Sequence, residues 1–195
     1  MKNIFTKIFT GIVIAALAGV SLYVALVKQN ALDSQLTANQ NQVRLDQGPG
    51  LPRRLVIPSI NVDAPVIYVG LASDGTVDVP KGPQETAWFQ LGPRPGQQGS
   101  AVITGHFGPW RNGGASVFDN LDKLKVGDII YVKDNENNQL SFKVQESRIY
   151  QSDESPKEVF NNNDGIYLNL ITCNGEWLAN QKTYTQRLVV FTEAV

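Results

Sequence analysis

The chain of 195 residues contains one cysteine, Cys173, and one histidine, His106. A lone thiol excludes any disulfide within the chain, so a packed core must supply the stability. The formal net charge is −1, and no basic cluster of the kind that binds DNA or RNA is present. One Cys and one His fall short of the three or four ligands of a zinc site unless carboxylates complete it. A Gly-x-Ser-x-Gly nucleophile elbow is also missing. Any Cys-His chemistry must therefore use these two residues.

A long uncharged stretch, residues 8–27, lies near the N-terminus. Its length is close to the ~20 residues that cross a bilayer as a helix. Lys2 and Lys7 precede it, which favours a cytoplasmic N-terminus. We predict a cytoplasmic segment 1–7, a single-pass signal-anchor 8–27 and an extracytoplasmic remainder. A cleaved signal peptide and a buried core helix are the alternatives, and the length of the run favours the anchor.

The rest of the chain divides by composition into a linker and a folded domain. Residues 28–50 are polar and rich in Gln and Asn, which is typical of a tether. From residue 51 to 195, short β-like runs alternate with turn residues, and helical pattern is sparse. Helical turns are predicted only at residues 87–91, 117–124 and 156–160. This pattern predicts an all-β fold, a closed or nearly closed barrel.

Three of the predicted strands carry chemically capable side chains at their ends. His106 and Cys173 each close an apolar, β-branched run, and Arg187 stands at the start of a third. A thiolate nucleophile, an imidazole and a fixed cation together suit acyl transfer. Each residue also has an ordinary interpretation: a small buried hydrophobe, a structural hydrogen-bonding group and a surface arginine. The pattern alone favours the role of a nucleophile only slightly. It does so because Cys173 ends its apolar run and is predicted to open into a loop, where catalytic groups are often displayed.

Taken in order, these motifs resemble the sortase family of cysteine transpeptidases. The resemblance rests on a histidine motif, a cysteine motif, an arginine motif and the segments between them: Ile103-Thr104-Gly105-His106, Leu170-Ile171-Thr172-Cys173, Arg187-Leu188-Val189-Val190, Val117-Phe118-Asp119-Asn120-Leu121, Lys125-Val126-Gly127-Asp128 and the opening Arg54-Leu55-Val56-Ile57-Pro58. It spans the domain from residue 51 onward and implies a closed barrel of about eight strands.

The resemblance also implies roles, a reaction and partners. Cys173 would be the nucleophile, His106 the general acid and base, and Arg187 the cation that stabilises the oxyanion. The enzyme would cleave an LPxTG-like C-terminal sorting signal of a secreted protein through a thioacyl intermediate. It would then transfer the acyl group to an amine on a cell-wall precursor or another protein, such as a pilin lysine. Thr104, Thr172 and Trp177, which lie within or beside these motifs, are predicted to contact the substrate.

Several alternatives stay open at this point. The residues after the cysteine, Asn174-Gly175-Glu176-Trp177, resemble class F of the family, with class E as the other choice. Some members bind calcium in the acidic segment that here contains Asp153, Glu154 and Glu158, but such loops are usually solvated, and we expect no cofactor. A hydrolase of the same chemistry and a catalytically silent barrel that binds peptides or cell-wall ligands are competing functions. An L,D-transpeptidase is disfavoured because its Ser-x-Gly-Cys motif is absent.

Overall fold

The computed structural model describes residues 22–38, 48–110 and 113–195. The chain separates into two units, Met1–Gln47 and Gly48–Val195. Segment 1–7 and the first part of the predicted membrane span, residues 8–21, lie outside the described residues.

In the first unit, residues 22–38 form one continuous helix, α1. The part of the linker from 28 to 38 is therefore helical rather than an irregular tether. Its Ala, Leu, Gln and Lys residues have favourable helix propensities, which outweigh the polar composition. Among the described residues, none of the helices combines the length and apolar character needed to cross a bilayer.

The second unit is built from eight strands and little helix. The strands are β1 (Pro52–Ile57), β2 (Val62–Val69), β3 (Thr86–Phe89), β4 (Gly99–Gly105), β5 (Ile129–Asp134), β6 (Gln139–Gln151), β7 (Ile166–Leu178) and β8 (Thr183–Ala194). They close into a barrel in the order β1-β2-β3-β4-β7-β8-β6-β5. Neighbours are antiparallel except β2 with β3 and β4 with β7, which are parallel. The predicted all-β closed barrel is confirmed.

Alternating residues divide the barrel into a filled interior and an apolar outer patch. The interior is packed by side chains from every strand, including Leu55, Ile103 and Leu170. Each fully buried aliphatic side chain contributes about 1.5–3 kcal/mol to folding. Outside the barrel, Val102 and Val189 pack with Val159 of the short helix α2 (Glu158–Asn161). The outer patch covers one side of β4, β7 and β8, the strands that carry the candidate site.

Two local predictions need correction. Residues 87–91 were expected to be helical, but Thr86–Phe89 is a strand between β2 and β4. Residues 117–124 form turns with a 3-10 helix only at Leu121–Lys123. In the first case tertiary pairing overrides weak local preference, since a short strand that is largely buried shows no alternation. The predicted turn at 156–160 corresponds to α2, displaced by one or two residues.

Both ends of the barrel domain lie at the rim where β4 and β7 begin. Gly99 pairs with Ile166 at that rim. The Pro49 carbonyl accepts a hydrogen bond of 3.2 Å from Arg94, five residues before β4. At the other chain end, the Val195 N–H donates to the Ser141 carbonyl near the start of β6.

Candidate active site

The three predicted catalytic residues lie in one row across neighbouring strands. Thr104 of β4 pairs with Ile171 of β7 in a parallel register, so His106 and Cys173, each two positions further, reach the same level. Across the antiparallel pair of β7 and β8, Cys173 stands directly opposite Arg187. The barrel therefore brings together side chains that are 81 residues apart in the sequence (187 minus 106).

This row belongs to the outer face of the barrel. Ile171 and Val189 pack in the outer apolar patch. Residues two apart in a strand share a face, so Cys173 and Arg187 also face outward. The outer patch thus continues from Cys173 along the strands. Its three valines are buried against α2, and Phe89, Tyr150, Ile171 and Phe191 at its margin are partly exposed.

Cys173 is half-buried and its thiol is free. Burial raises the pKa of the thiol above its ordinary value, and the positive charge of Arg187 opposes that rise without cancelling it. In the resting protein the group is consequently a thiol at neutral pH, with the thiolate as a minor form. Arg187 increases that minor fraction.

The thiol pKa leads to a direct prediction for alkylation. The rate of iodoacetamide labelling should rise with pH, with a midpoint above that of a free thiol, about 8.5, because burial disfavours the charged thiolate. All labelling must come from Cys173, the only cysteine. Mass spectrometry over a pH series, with glutathione measured in parallel and Cys173→Ala as a blank, gives the midpoint. A midpoint at or below that of glutathione would contradict the burial argument.

The guanidinium of Arg187 is oriented by its own strand. Nη1 donates to the carbonyls of Tyr184 and Gln186 at 3.1 and 2.9 Å, and Nη2 donates to Thr183 Oγ1 at 3.0 Å. A guanidinium has five N–H donors, and these three bonds leave two without a partner in the part of the chain that the structure describes. No carboxylate pairs with Arg187 there either. The cation therefore keeps its charge and two N–H donors that are available to an anionic oxygen.

His106 follows the last residue of β4 and is half-buried. Its Nε2 lies 2.6 Å from the carbonyl oxygen of Pro80, in the segment between β2 and β3. The ring also packs against Trp110, with centroids 4.9 Å apart and planes tilted by 53°. Two separate contacts thus fix the position of the imidazole.

The loop after His106 is tied down by Asp119. One carboxylate oxygen accepts from the Gly108 N–H and the other from the Ser116 N–H, both at 2.8 Å. Ser116 Oγ closes the loop by donating to the Gly108 carbonyl at 2.7 Å. Gly108 has φ of 87° and lies against the hydroxyl of Tyr184. A side chain there would be strained and would displace that tyrosine.

Of the predicted substrate contacts, the two threonines have buried side chains. Thr172 Oγ1 donates to the Gly105 carbonyl at 2.8 Å and joins the cysteine strand to the end of the histidine strand. Thr104 Oγ1 lies 3.4 and 3.5 Å from the carbonyls of Asp78 and Ala87. Both hydroxyls therefore have structural partners, and their contact with substrate stays a prediction.

Trp177 is the predicted substrate contact that solvent reaches, with 53% of its surface exposed. Its ring meets that of Tyr184 at 5.2 Å between centroids, and Tyr184 meets Phe107 of the histidine loop at 5.4 Å. These three rings, the aromatic cluster, connect the β7–β8 hairpin with the loop after His106. Burial first, and then the charges of Cys173 and Asp119, raise the pKa of Tyr184.

Sequence reasoning placed Cys173 at the end of its strand, and that expectation is wrong. β7 continues to Leu178, and its pairing with β8 resumes at Trp177 after a register shift. Gly175, with φ of 82°, lies within that irregularity. Gly175-Glu176, opposite Thr185, is thus a bulge inside a hairpin, and Asn174-Gly175 is not the start of a loop. Cys173 therefore has hydrogen-bonded strand segments on both sides.

Tyr150 is a residue of this row that sequence reasoning missed. It pairs with Arg187 across β6 and β8. Its hydroxyl donates to Glu158 at 2.9 Å, and Arg148 lies 3.5 Å from the same carboxylate. Nothing in the sequence distinguishes this tyrosine from other strand residues, because its place depends on strand register.

The acidic segment before β7 is engaged with its own surroundings. Glu154 accepts from the Gln151 N–H at 2.7 Å, and Glu158 accepts from Tyr150. Among the described residues, no group of three or more His, Cys, Asp or Glu side chains is placed to hold a metal ion. The absence of a cofactor stays a prediction.

Comparisons with known proteins agree with this architecture. A family model described as the sortase domain matches residues 55–195. Sortase C-1 from Actinomyces oris is 28% identical with a TM-score of 0.58, over 73% of this chain and 72% of that chain. Sortase C from Clostridium perfringens SM101 is 26% identical with a TM-score of 0.54, over 76% and 71%. A lid mutant of sortase A from Corynebacterium diphtheriae, 24% identical with a TM-score of 0.58 over 76% and 71%, shows the fold alone.

No curated protein matches the chain. Class F or class E membership stays a prediction, because the matched family description names no class. The family model nevertheless covers well over half of the chain, and the solved structures share its barrel. The chain therefore belongs to the sortase family, whose members are cysteine transpeptidases.

Proposed function

We propose that the chain is a membrane-anchored transpeptidase that cleaves an LPxTG-like sorting signal and joins the released acyl group to an amine. The observation that carries this proposal is the row on the outer face, in which Cys173 stands opposite Arg187 and level with His106. The thiol, the guanidinium and the imidazole thus share one side of one sheet.

In the first half-reaction, His106 takes the proton of the Cys173 thiol. The thiolate attacks a backbone carbonyl carbon of the sorting signal, and the carbonyl oxygen becomes an oxyanion. The free donors and the charge of Arg187 stabilise that oxyanion. Collapse of the intermediate breaks the C–N bond, and His106 returns the proton to the departing amine. The products are a thioester on Cys173 and the released C-terminal tail.

In the second half-reaction, an acceptor amine attacks the thioester carbonyl. His106 removes a proton from that amine, and the C–S bond breaks. The proton then returns to the cysteine sulfur, which restores the thiol. The acceptor would be an amine of a lipid-linked cell-wall precursor or a lysine of another protein. Residues 8–27 would hold the enzyme in the membrane, with the barrel outside the cell.

Intact mass spectrometry tests the proposal directly. The full chain in detergent is incubated with a panel of LPxTG-like peptides without added amine, beside Cys173→Ala. We expect an acyl adduct on the wild type alone and a loss of turnover of at least about 10³-fold in the variant, because the nucleophile is removed. An adduct on both proteins would exclude Cys173 as the nucleophile. Peptide binding without any adduct or cleavage would instead favour a catalytically silent barrel.

A further inference from the structure

The contact between His106 and Pro80 fixes which imidazole nitrogen carries a hydrogen. Nε2 lies 2.6 Å from the Pro80 oxygen, and a carbonyl oxygen can only accept a hydrogen bond. The contact therefore requires a hydrogen on Nε2. In the neutral ring, the lone pair is then on Nδ1. Among the described residues, Nδ1 has no hydrogen-bond partner.

The carbonyl that receives this bond is itself held in place. Pro80 is buried, and its ring fixes φ. Two residues before it, the Asp78 carbonyl lies 3.4 Å from the Thr104 hydroxyl of the histidine strand. The acceptor is therefore positioned by the strand that leads to His106.

We infer that the Pro80 carbonyl is the orienting partner of His106 and that Nδ1 is the nitrogen that exchanges protons in the reaction. The inference rests on the proposed function for its catalytic half. Nδ1 would take the thiol proton to form an imidazolium, while Nε2–H keeps its bond to Pro80. Nδ1 would then give that proton to the departing amine. Pro80 acts only through His106 and is thus a positioning residue.

The group that accepts the hydrogen bond from His106 is a neutral carbonyl, whereas in many hydrolases the corresponding acceptor is a carboxylate. It selects the tautomer and the ring orientation, as a carboxylate does. It adds no negative charge, so it does not stabilise the imidazolium to the same extent. No Asp or Glu contacts the His106 ring in the part of the chain described by the structure.

Nitrogen NMR of the full chain reads the tautomer directly. His106 is the only histidine, so an untagged protein labelled with ¹⁵N-histidine gives one imidazole spin system. At alkaline pH we expect a protonated Nε2 and an unprotonated Nδ1. A protonated Nδ1, or an average of both tautomers, would overturn the assignment.

Two glycine variants test whether the carbonyl matters for turnover. Pro80→Gly keeps the carbonyl but releases its position, and we expect averaged tautomers and a kcat about tenfold lower with KM unchanged. Pro83→Gly loosens the same segment without touching the ring, and should retain the single tautomer and kcat within about twofold. Equal losses in both variants, or wild-type kcat in Pro80→Gly, would reject the positioning role.

Failure of the inference can be distinguished from failure of the proposed function. The NMR measurement uses the resting protein and no peptide. Suppose that no peptide is turned over. The transpeptidase proposal then fails, but the orienting contact is still supported if Nε2 is protonated in the wild type and in Pro83→Gly while Pro80→Gly shows an average of the two tautomers. If peptides form adducts but Nδ1 is protonated, the reaction stands and the orienting contact is rejected.

Discussion

Replacing Arg187 with methionine is expected to lower kcat/KM for a sorting peptide by about 10²–10³-fold, the usual loss when one oxyanion donor is removed. Methionine keeps an apolar stem of similar length and removes the charge and all five donors. Two effects act in the same direction. The oxyanion loses its stabilising donors, and the pKa of Cys173 rises further because the charge that opposed burial is gone.

Arg187→Lys separates charge from geometry. Lysine retains the positive charge beside Cys173 but has no planar fork to bond both carbonyls and the oxyanion. We expect the alkylation midpoint of Cys173 to stay closer to the wild-type value in Arg187→Lys than in Arg187→Met, while kcat/KM recovers only in part. Single-turnover adduct formation measures the chemical step, and circular dichroism checks that both variants fold. Adduct formation within threefold of wild type in Arg187→Met would remove Arg187 from the mechanism.

The second large effect is expected on stability, at Asp134. This carboxylate is 3% exposed and accepts hydrogen bonds from Gly50 N, Glu136 N, Asn138 N and Asn138 Nδ2 at 3.2, 2.9, 2.8 and 2.8 Å. It therefore joins the chain entering β1 to the hairpin between β5 and β6, where β1 and β5 close the barrel. Asp134→Ala leaves several donors without an acceptor. The free energy of unfolding should fall by about 3 kcal/mol.

The effect of Asp134 should depend on pH with a defined sign. Burial opposes ionisation, but the bonds from Asn138, Glu136 and Gly50 hold the pKa below its ordinary value. A depressed pKa stabilises the fold above the unfolded value, about 3.9, and that contribution is lost as the pH falls through the lower folded value. The difference between wild type and Asp134→Ala should therefore be largest near neutral pH and should shrink in acid.

Urea denaturation followed by tryptophan fluorescence measures this loss. All three tryptophans, Trp88, Trp110 and Trp177, lie in the barrel domain. Glu136→Ala is the matched control, since its exposed side chain belongs to the same hairpin and should change stability by less than about 0.5 kcal/mol. Equal stabilities of Asp134→Ala and Glu136→Ala would show that the carboxylate does not hold the barrel closed.

The fold class was predictable because most strands show their burial in the sequence. In β2, buried and exposed residues alternate from Val62 to Val66, and this pattern is visible as apolar and polar letters. In β3, Thr86, Ala87 and Trp88 are all buried. A strand covered on both faces has no alternation to read, and four residues are too few to decide between helix and strand. That explains why β3 was assigned to a helix.

The sequence allowed the three site residues to be identified, but it did not allow their spatial arrangement to be predicted. Cys173, His106 and Arg187 were identified from their positions at the ends of apolar runs and from the family resemblance. Their common row depends on the registers between β4, β7 and β8, which are long-range pairings. Tyr150 joins the site through the pairing of β6 with β8, and Pro80 through the path of the chain between β2 and β3, so neither is marked in the sequence. The bulge at Gly175-Glu176 also escapes sequence reasoning, because a glycine after a strand indicates a turn equally well.

The position of the domain's two ends determines what can be attached to it. Gly48 and Val195 leave the barrel near the starts of β4 and β7, whereas Cys173 and His106 lie toward the other rim, about 20 Å away along the strands. A fluorescent protein or an affinity tag fused at either end would therefore project from the side remote from the nucleophile. Surface immobilisation through either end should likewise leave the thiol accessible to bulky acyl donors.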